Sequence, residues 1–320
     1  MSYKVVITDF GFPDLSIEQE VLGPLGITPQ GAQCKTEQEV AVLAADADAV
    51  LVGFAPVRAA AIGAMKKARV IVRFGIGVDN VDLAAAKARN IPVCNVPDYC
   101  LDEVADHTLA FVLALARQIV RNALVVREGY WKSAVPASGF HCLRNMTIGV
   151  VGFGRIGRAV AQRLAAFGCT ILIYDPAISA GSNAPPNMRH VSFEELLETV
   201  DLLTLHVPSM PATRGLINRE RLGRMKTGAL LVNTSRGDLV VTDDLIEALN
   251  SGRLAGAGLD VTNPEPLPAD SPLRAFPQVI INAHLASVSP QAQRRLRVTA
   301  SELAAAAVQG KPLKNVVNGV

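Results

Sequence analysis

Ile148-Gly149-Val150-Val151-Gly152-Phe153-Gly154-Arg155-Ile156-Gly157 joins an apolar run to a G-x-G-x-x-G turn, near the middle of a 320-residue chain. A helical stretch, Arg158 to Phe167, follows, then a second apolar run, Thr170-Ile171-Leu172-Ile173-Tyr174, and then Asp175, 18 residues after Gly157. Strand, glycine turn, helix, strand and acidic residue at these spacings form a dinucleotide fingerprint in the context it requires. Gly152 permits the tight turn, Gly154 lets backbone approach a pyrophosphate, and Gly157 lets helix and strand pack closely. The helix N-terminus offers unpaired N–H groups to the anion. Asp175 is suited to the adenosine ribose hydroxyls. A carboxylate there repels a 2′-phosphate and no Arg follows closely, so NAD is favoured over NADP. Three glycines can also serve a purely structural turn, but the flanking elements weigh against that use.

Outward from this stretch, apolar runs alternate with amphipathic segments: 147–151, 170–174, 202–207, 229–233, 257–261 and 279–282. Six such runs imply a doubly wound parallel sheet. Helices are expected between them, for example Ser192–Val200 with Ser192 as cap, and Thr242–Asn250 ending before Gly252. The first hundred residues repeat the alternation, with strands expected at 4–8, 49–52, 70–74 and 93–95, and read as a second α/β domain facing the cofactor across a cleft. Long helices at Leu101–Arg121 and Pro290–Gln309 are expected to cross between domains, the last returning to the first domain.

The chain is long enough for two cores. With 31 Lys and Arg against 29 Asp and Glu its net charge is +2, without charged blocks, which argues against nucleic acid or anionic membrane as partners. No leader is expected before the strand-like Tyr3–Ile7. The apolar stretch Val104–Val120 carries Asp106, His107 and Arg117, which suits a buried helix better than a membrane span. Five cysteines with no C-x-x-C read as reduced thiols in a cytoplasmic protein.

Ligands of open α/β sheets bind beyond the carboxyl ends of strands. Three of the runs lead into Thr234-Ser235-Arg236-Gly237, Thr262-Asn263-Pro264-Glu265-Pro266 and Ala283-His284. A cation, a carboxylate and an imidazole at one sheet edge suit reversible hydride transfer to a carbonyl beside a carboxylate. Arg236 can bind and polarise a 2-keto acid through its planar fork. His284 can supply the proton to the developing alkoxide. Glu265 can fix the imidazole's tautomer and favour its protonated form. Individually each has a bland alternative as a surface or structural residue; their coincidence is the argument. In the first domain, Arg73-Phe74-Gly75-Ile76-Gly77-Val78-Asp79 follows a strand, and its backbone N–H groups could bind a carboxylate, or simply form a β-turn. His107 reads as core or hinge packing, His141, His190 and His206 as non-catalytic, and no His or Cys spacing suggests a metal site.

Together these segments resemble the D-isomer-specific 2-hydroxyacid dehydrogenase family, in its branch like the C-terminal-binding-protein corepressors and phosphoglycerate dehydrogenases. The stretches that carry the likeness are RFGIGVDNVD (73–82), VCNVPDYCLDEVADHTLA (93–110), VVGFGRIG (150–157), YDP (174–176), LHVP (205–208), NTSRGD (233–238), GLDVTNPEP (258–266) and NAHLAS (282–287). The resemblance implies two Rossmann-like doubly wound domains: a discontinuous, flavodoxin-like substrate-binding domain (1–100 and 288–320) with an NAD-binding domain (101–287) inserted. It puts the catalytic Arg, Glu and His at Arg236, Glu265 and His284, and substrate binding at Arg73, Gly75, Ile76 and Gly77. Cofactor contacts fall on Thr108, Gly152, Gly154, Arg155, Ile156, Gly157, Asp175, His206, Pro208, Thr234 and Asp260. It further implies NAD as cofactor, a small 2-keto or 2-hydroxy acid as substrate, and a homodimer built through the NAD-binding domains. Ala283 stands where the family usually has Pro. The 52–55 segment lacks the Arg of phosphoglycerate-specific relatives and no regulatory domain is expected, which weighs against 3-phosphoglycerate, while Phe10, Phe12 and Phe54 suit an apolar substrate side chain. The other class of function is an NAD(H)-sensing scaffold like the corepressors, although Ser287 stands where those carry a Trp. A formate-type enzyme would replace the Glu present at 265.

Overall fold

A computed structural model describes residues 3–320. The chain divides into two compact units, Met1–Tyr99 with Ser289–Val320, and Cys100–Val288.

In the first unit, strands β1 (Val5–Ile7), β2 (Gln30–Gly31), β3 (Ala49–Val52), β4 (Val70–Arg73) and β5 (Val93–Cys94) pair in parallel in the order β2-β1-β3-β4-β5. This is the flavodoxin-like order. Helices α1 (Ser16–Leu22), α2 (Glu37–Ala44), α3 (Ala59–Ala64) and α4 (Leu83–Ala88) lie between the strands. Every residue of β1, β3 and β4 is buried, as expected of parallel strands covered on both faces. Alternate side chains divide between two cores: Val5, Ile7 and Leu51 enter one, Val6, Val50 and Val52 the other.

The second unit contains helices α5 (Leu101–Ala116) and α6 (Ile119–Arg127), then strands β6 (Thr147–Val151), β7 (Thr170–Tyr174), β8 (Met188–His190), β9 (Leu202–Leu205), β10 (Ala229–Asn233), β11 (Leu254–Leu259) and β12 (Val279–Ile281). Helices α7 (Arg155–Ala165), α8 (Phe193–Thr199), α9 (Arg219–Arg224) and α10 (Thr242–Asn250) connect them. The sheet is parallel, in the order β12-β11-β10-β9-β6-β7-β8, and reverses direction at β6, where the glycine turn begins. α5 and α7 share a core with Ile148, Leu230 and Val232, while α8, α9 and α10 cover Leu203, Leu205 and Leu231 on the other face. Ser192 caps α8, its Oγ accepting from Glu195 N at 3.1 Å. The last helix, α11 (Pro290–Val308), belongs to the first unit and packs on its α1, β3 and β4.

The fold class is the expected one, with corrections of detail. Strands β2 and β8 escape a search for apolar runs: both are edge strands, the first exposed, the second Met-Arg-His. β11 begins at Leu254, earlier than the expected 257. Gly256 and Gly258 disguise it, because a Cβ at 258 would press on the Phe111 ring of α5 and one at 256 on the Gln278 carbonyl. The helix expected over 101–121 breaks after Ala116. Gln118 takes a left-handed backbone, φ +55°, and its Nε2 donates to Leu115 O, so α6 departs at 63°. Among the described residues no single helix is long and apolar enough to cross a membrane; α5 and α6 reach that length only as this bent pair.

Candidate active site

The glycine turn takes the form its sequence demands. Gly152 has φ +92°, a region that disfavours any side chain, and a Cβ there would meet the His206 carbonyl. A Cβ on Gly157 would collide with the Gly152 carbonyl, whereas Gly154 opens onto free space. Gly154 precedes α7 with no side-chain cap, so the first-turn amides at Arg155, Ile156 and Gly157 are left for an outside acceptor. Asp175, at the end of β7, is braced against this turn: Oδ2 accepts from Phe153 N at 2.8 Å and Oδ1 from Ala177 N at 2.9 Å. Orphan amides, an open Gly154 and a fixed carboxylate fit a dinucleotide's pyrophosphate and ribose. His206 follows β9, donates its N–H to Val151 O at 2.7 Å and sets its ring Nε2 3.0 Å from Thr204 Oγ1. Its Nδ1 is shut off from solvent without a partner, and burial pushes the imidazole pKa down to about 3. Pro208 is exposed beyond it, its carbonyl accepting from Thr213 Oγ1.

The turns after β10, β11 and β12 carry Arg236, Glu265 and His284. Buried Asn233 builds the first: Oδ1 accepts from Ser235 N at 3.0 Å and Nδ2 donates to Arg236 O at 2.8 Å. Gly237 admits no side chain, since a Cβ would strike the Thr262 carbonyl. Thr234 Oγ1 lies 2.9 Å from Thr108 Oγ1 of α5. His284 has φ +57°, a left-handed backbone uncommon outside glycine. Its Nδ1 stands 2.7 Å from Glu265 Oε1. Burial pushes the Glu265 carboxyl up, but the hydrogen bond to His284, with the charges of His284 and Arg236, outweighs it and holds the carboxyl below its ordinary value. The three groups read from sequence therefore act on one another electrostatically, within one unit. Asp260, almost wholly buried, accepts from Leu285 N (2.8 Å) and Ala286 N (2.9 Å) through its carboxylate, and from His284 N (2.8 Å) through its carbonyl.

In the first unit, Gly75 has φ +146° and the Arg73 guanidinium lies against it, so a Cβ there would collide. The carbonyls of Gly75 and Ile76 are used, accepting from Val96 N (3.0 Å) and Asn95 Nδ2 (2.7 Å). The Ile76 and Gly77 amides make no hydrogen bond to the described residues. Phe54 is 71% exposed and its ring centre is 5.3 Å from Arg73 Cζ. Phe10 and Phe12 instead pack on the core of this unit.

Two contributors were missed by reading along the sequence. Asn233 was signalled by an Asn at a strand end, a residue that bonds its own backbone in turns. His107, read as packing, has Nε2 2.9 Å from Asn282 Nδ2 and 3.7 Å from Asp260 Oδ1. Nothing local marks that link, which spans 175 residues.

The family model described as "D-isomer specific 2-hydroxyacid dehydrogenase, NAD binding domain" matches residues 109–286. A glyoxylate reductase of Korarchaeum cryptofilum is 39% identical over 266 residues, covering 82% of this chain and 80% of that protein. A D-3-phosphoglycerate dehydrogenase of Mycobacterium bovis is 39% identical over 274 residues, 85% of this chain but 51% of that protein, so the chain spans about half the length of this relative. The crystal structure of the TT0316 protein from Thermus thermophilus superposes with a TM-score of 0.87 at 36% identity, covering 98% of this chain and 99% of that one. The chain belongs to the D-isomer-specific 2-hydroxyacid dehydrogenase family, and the matched residues are its NAD-binding domain.

Proposed function

We propose that the chain is an NAD-dependent D-2-hydroxyacid dehydrogenase that interconverts a 2-keto acid and its 2-hydroxy acid. The observation that carries this is the 2.7 Å bond between Glu265 and His284, with the charge of Arg236 acting on the same carboxylate. Bound NADH would supply the hydride, its pyrophosphate held by the Gly152–Gly157 turn and its ribose by Asp175. Thr108, His206, Pro208, Thr234 and Asp260 would contact the cofactor as in the family. Arg236 would pair with the substrate carboxylate and draw charge from the keto oxygen. His284 Nε2, the ring nitrogen not engaged by Glu265, would donate the proton in reduction and accept it in oxidation. Glu265 would stabilise the protonated imidazole. In the first unit, read as the substrate-binding domain, the Ile76 and Gly77 amides and Arg73 would hold a carboxylate, and Phe54 favours an apolar substituent.

NADH oxidation followed at 340 nm tests this with glyoxylate, hydroxypyruvate, phosphohydroxypyruvate, 2-ketoisocaproate and phenylpyruvate, beside an Arg236→Ala control. Turnover that the control loses supports the reading; NADH binding with no turnover on any keto acid overturns it. The NAD(H)-sensing scaffold draws no support from the glyoxylate reductase and the D-3-phosphoglycerate dehydrogenase to which the chain is similar. We further read the protein as a cytoplasmic homodimer. Five free thiols suit a reducing compartment. Ile119, Leu124, Val126, Tyr130 and the 93%-exposed Trp131 are exposed large apolar side chains on and after α6, the kind of surface an interface covers. Sedimentation of wild type and Trp131→Glu decides it: a wild-type monomer refutes the dimer.

A further inference from the structure

Two adjacent residues of α5 reach two different turns of the site. Thr108 Oγ1 meets Thr234 Oγ1 at 2.9 Å, two residues before Arg236. His107 Nε2 meets Asn282 Nδ2 at 2.9 Å, two residues before His284, and lies 3.7 Å from Asp260 Oδ1. The same Oδ1 accepts the Leu285 amide, Oδ2 accepts the Ala286 amide, and Asp260 O accepts the His284 amide. Asn282 is tied in from the strand side, its N–H donating to Leu259 O at 2.8 Å. The His107 ring cannot swing freely, because Phe111, one turn along α5, meets it edge to face at 4.8 Å.

His284 holds φ +57°, a conformation that persists in such a residue only when its surroundings impose it. Asp260 supplies the acceptors that impose it. A carboxylate that deep in protein keeps its place only when its own partners are fixed. His107 is the side chain that links α5 to Asn282, with its ring beside Asp260, so it closes the frame from the helix side.

We propose that His107 is a positioning residue: through Asn282 it holds the 282–286 turn in the left-handed geometry that brings the His284 imidazole to Glu265. It touches neither of the groups proposed to react, and acts through the turn alone. The catalytic consequence rests on the reading of His284 as the proton donor; the structural consequence does not.

The test uses His107→Phe, which keeps an aromatic ring against Phe111 but removes both ring nitrogens, and His107→Gln, whose terminal amide stands where Nε2 does. Amide hydrogen exchange at residues 284–286 is measured against the strand amides of β6, β9 and β10, alongside steady-state turnover. In His107→Phe, exchange at Leu285 and Ala286 is expected to accelerate about tenfold or more while the strand amides stay at their wild-type rates. The kcat falls about tenfold with KM for NADH unchanged, and His107→Gln recovers most of both. Wild-type exchange at 284–286 in His107→Phe overturns the proposal, whatever the turnover. Should His107→Phe loosen the whole unit, Asn282→Ala cuts the same link from the turn: faster exchange confined to 284–286 supports the brace, and unchanged exchange there overturns it. A wild-type protein with no keto-acid turnover would refute the proposed function, yet leave the exchange result to decide the brace.

Discussion

Glu265 Oε1 and His284 Nδ1 stand 2.7 Å apart across 19 residues of sequence, each on the turn that follows a neighbouring strand. The contact engages Nδ1 with the carboxylate, and the proposed proton donor is the other ring nitrogen, Nε2. Glu265→Gln keeps a polar partner but removes the charge that stabilises the protonated ring. The expected result is a kcat for keto-acid reduction lowered about 10- to 100-fold, with NADH affinity unchanged. Stopped-flow reduction with fluorescence titration of NADH checks both; an unchanged kcat would remove Glu265 from the proposed mechanism.

The same carboxyl makes a claim about stability. Burial raises it, but the bond and charge of His284 with the charge of Arg236 prevail, so its folded value lies below the ordinary 4.5. A depressed carboxyl stabilises the folded state at pH above its unfolded value, and that contribution is lost as pH falls through the folded one. The melting-temperature difference between wild type and Glu265→Gln should therefore shrink as pH falls below 4.5. A difference that instead grows on acidification would reverse the assigned shift.

How much of this was legible in the sequence depends on the range over which each signal acts. The glycine turn, Asp175 and the strands at 147–151, 170–174 and 229–233 are local patterns, and the structure keeps their bounds. β11 was displaced because Gly256 and Gly258 answer to the Phe111 ring and the Gln278 carbonyl, contacts invisible along the chain. The break at Gln118 carries neither Gly nor Pro to announce it. Arg236, Glu265 and His284 could be grouped only because strand ends of a parallel sheet share an edge. His107 belongs to that neighbourhood by helix packing, and no periodicity reports it.

Asp175 is expected to set cofactor choice. With both oxygens already fixed by the Phe153 and Ala177 amides, its charge cannot turn away from an incoming 2′-phosphate. Asp175→Ala is expected to weaken NADH binding about tenfold and to raise the NADPH-to-NADH ratio of kcat/KM by at least about as much. Kinetics with both cofactors checks it. A variant that still rejects NADPH as strongly as the wild type would place the discrimination elsewhere.

His206 gives the clearest pH signature away from the proposed acid–base pair. Burial alone lowers its pKa from 6.5 to about 3, and Nδ1 is enclosed without a partner. Between those two values the unfolded chain binds a proton that the folded chain refuses, so stability declines as pH falls from 6.5 toward 3. The slope attributable to this residue is about one proton. His206→Gln, which can still reach Thr204, should lose that slope while the acid response of the carboxylates remains. Urea unfolding between pH 7.5 and 5 isolates the effect, because most carboxyls stay ionised over that interval. Parallel stability curves for wild type and His206→Gln would mean that the imidazole protonates in place, and that the wall behind the glycine turn opens to water.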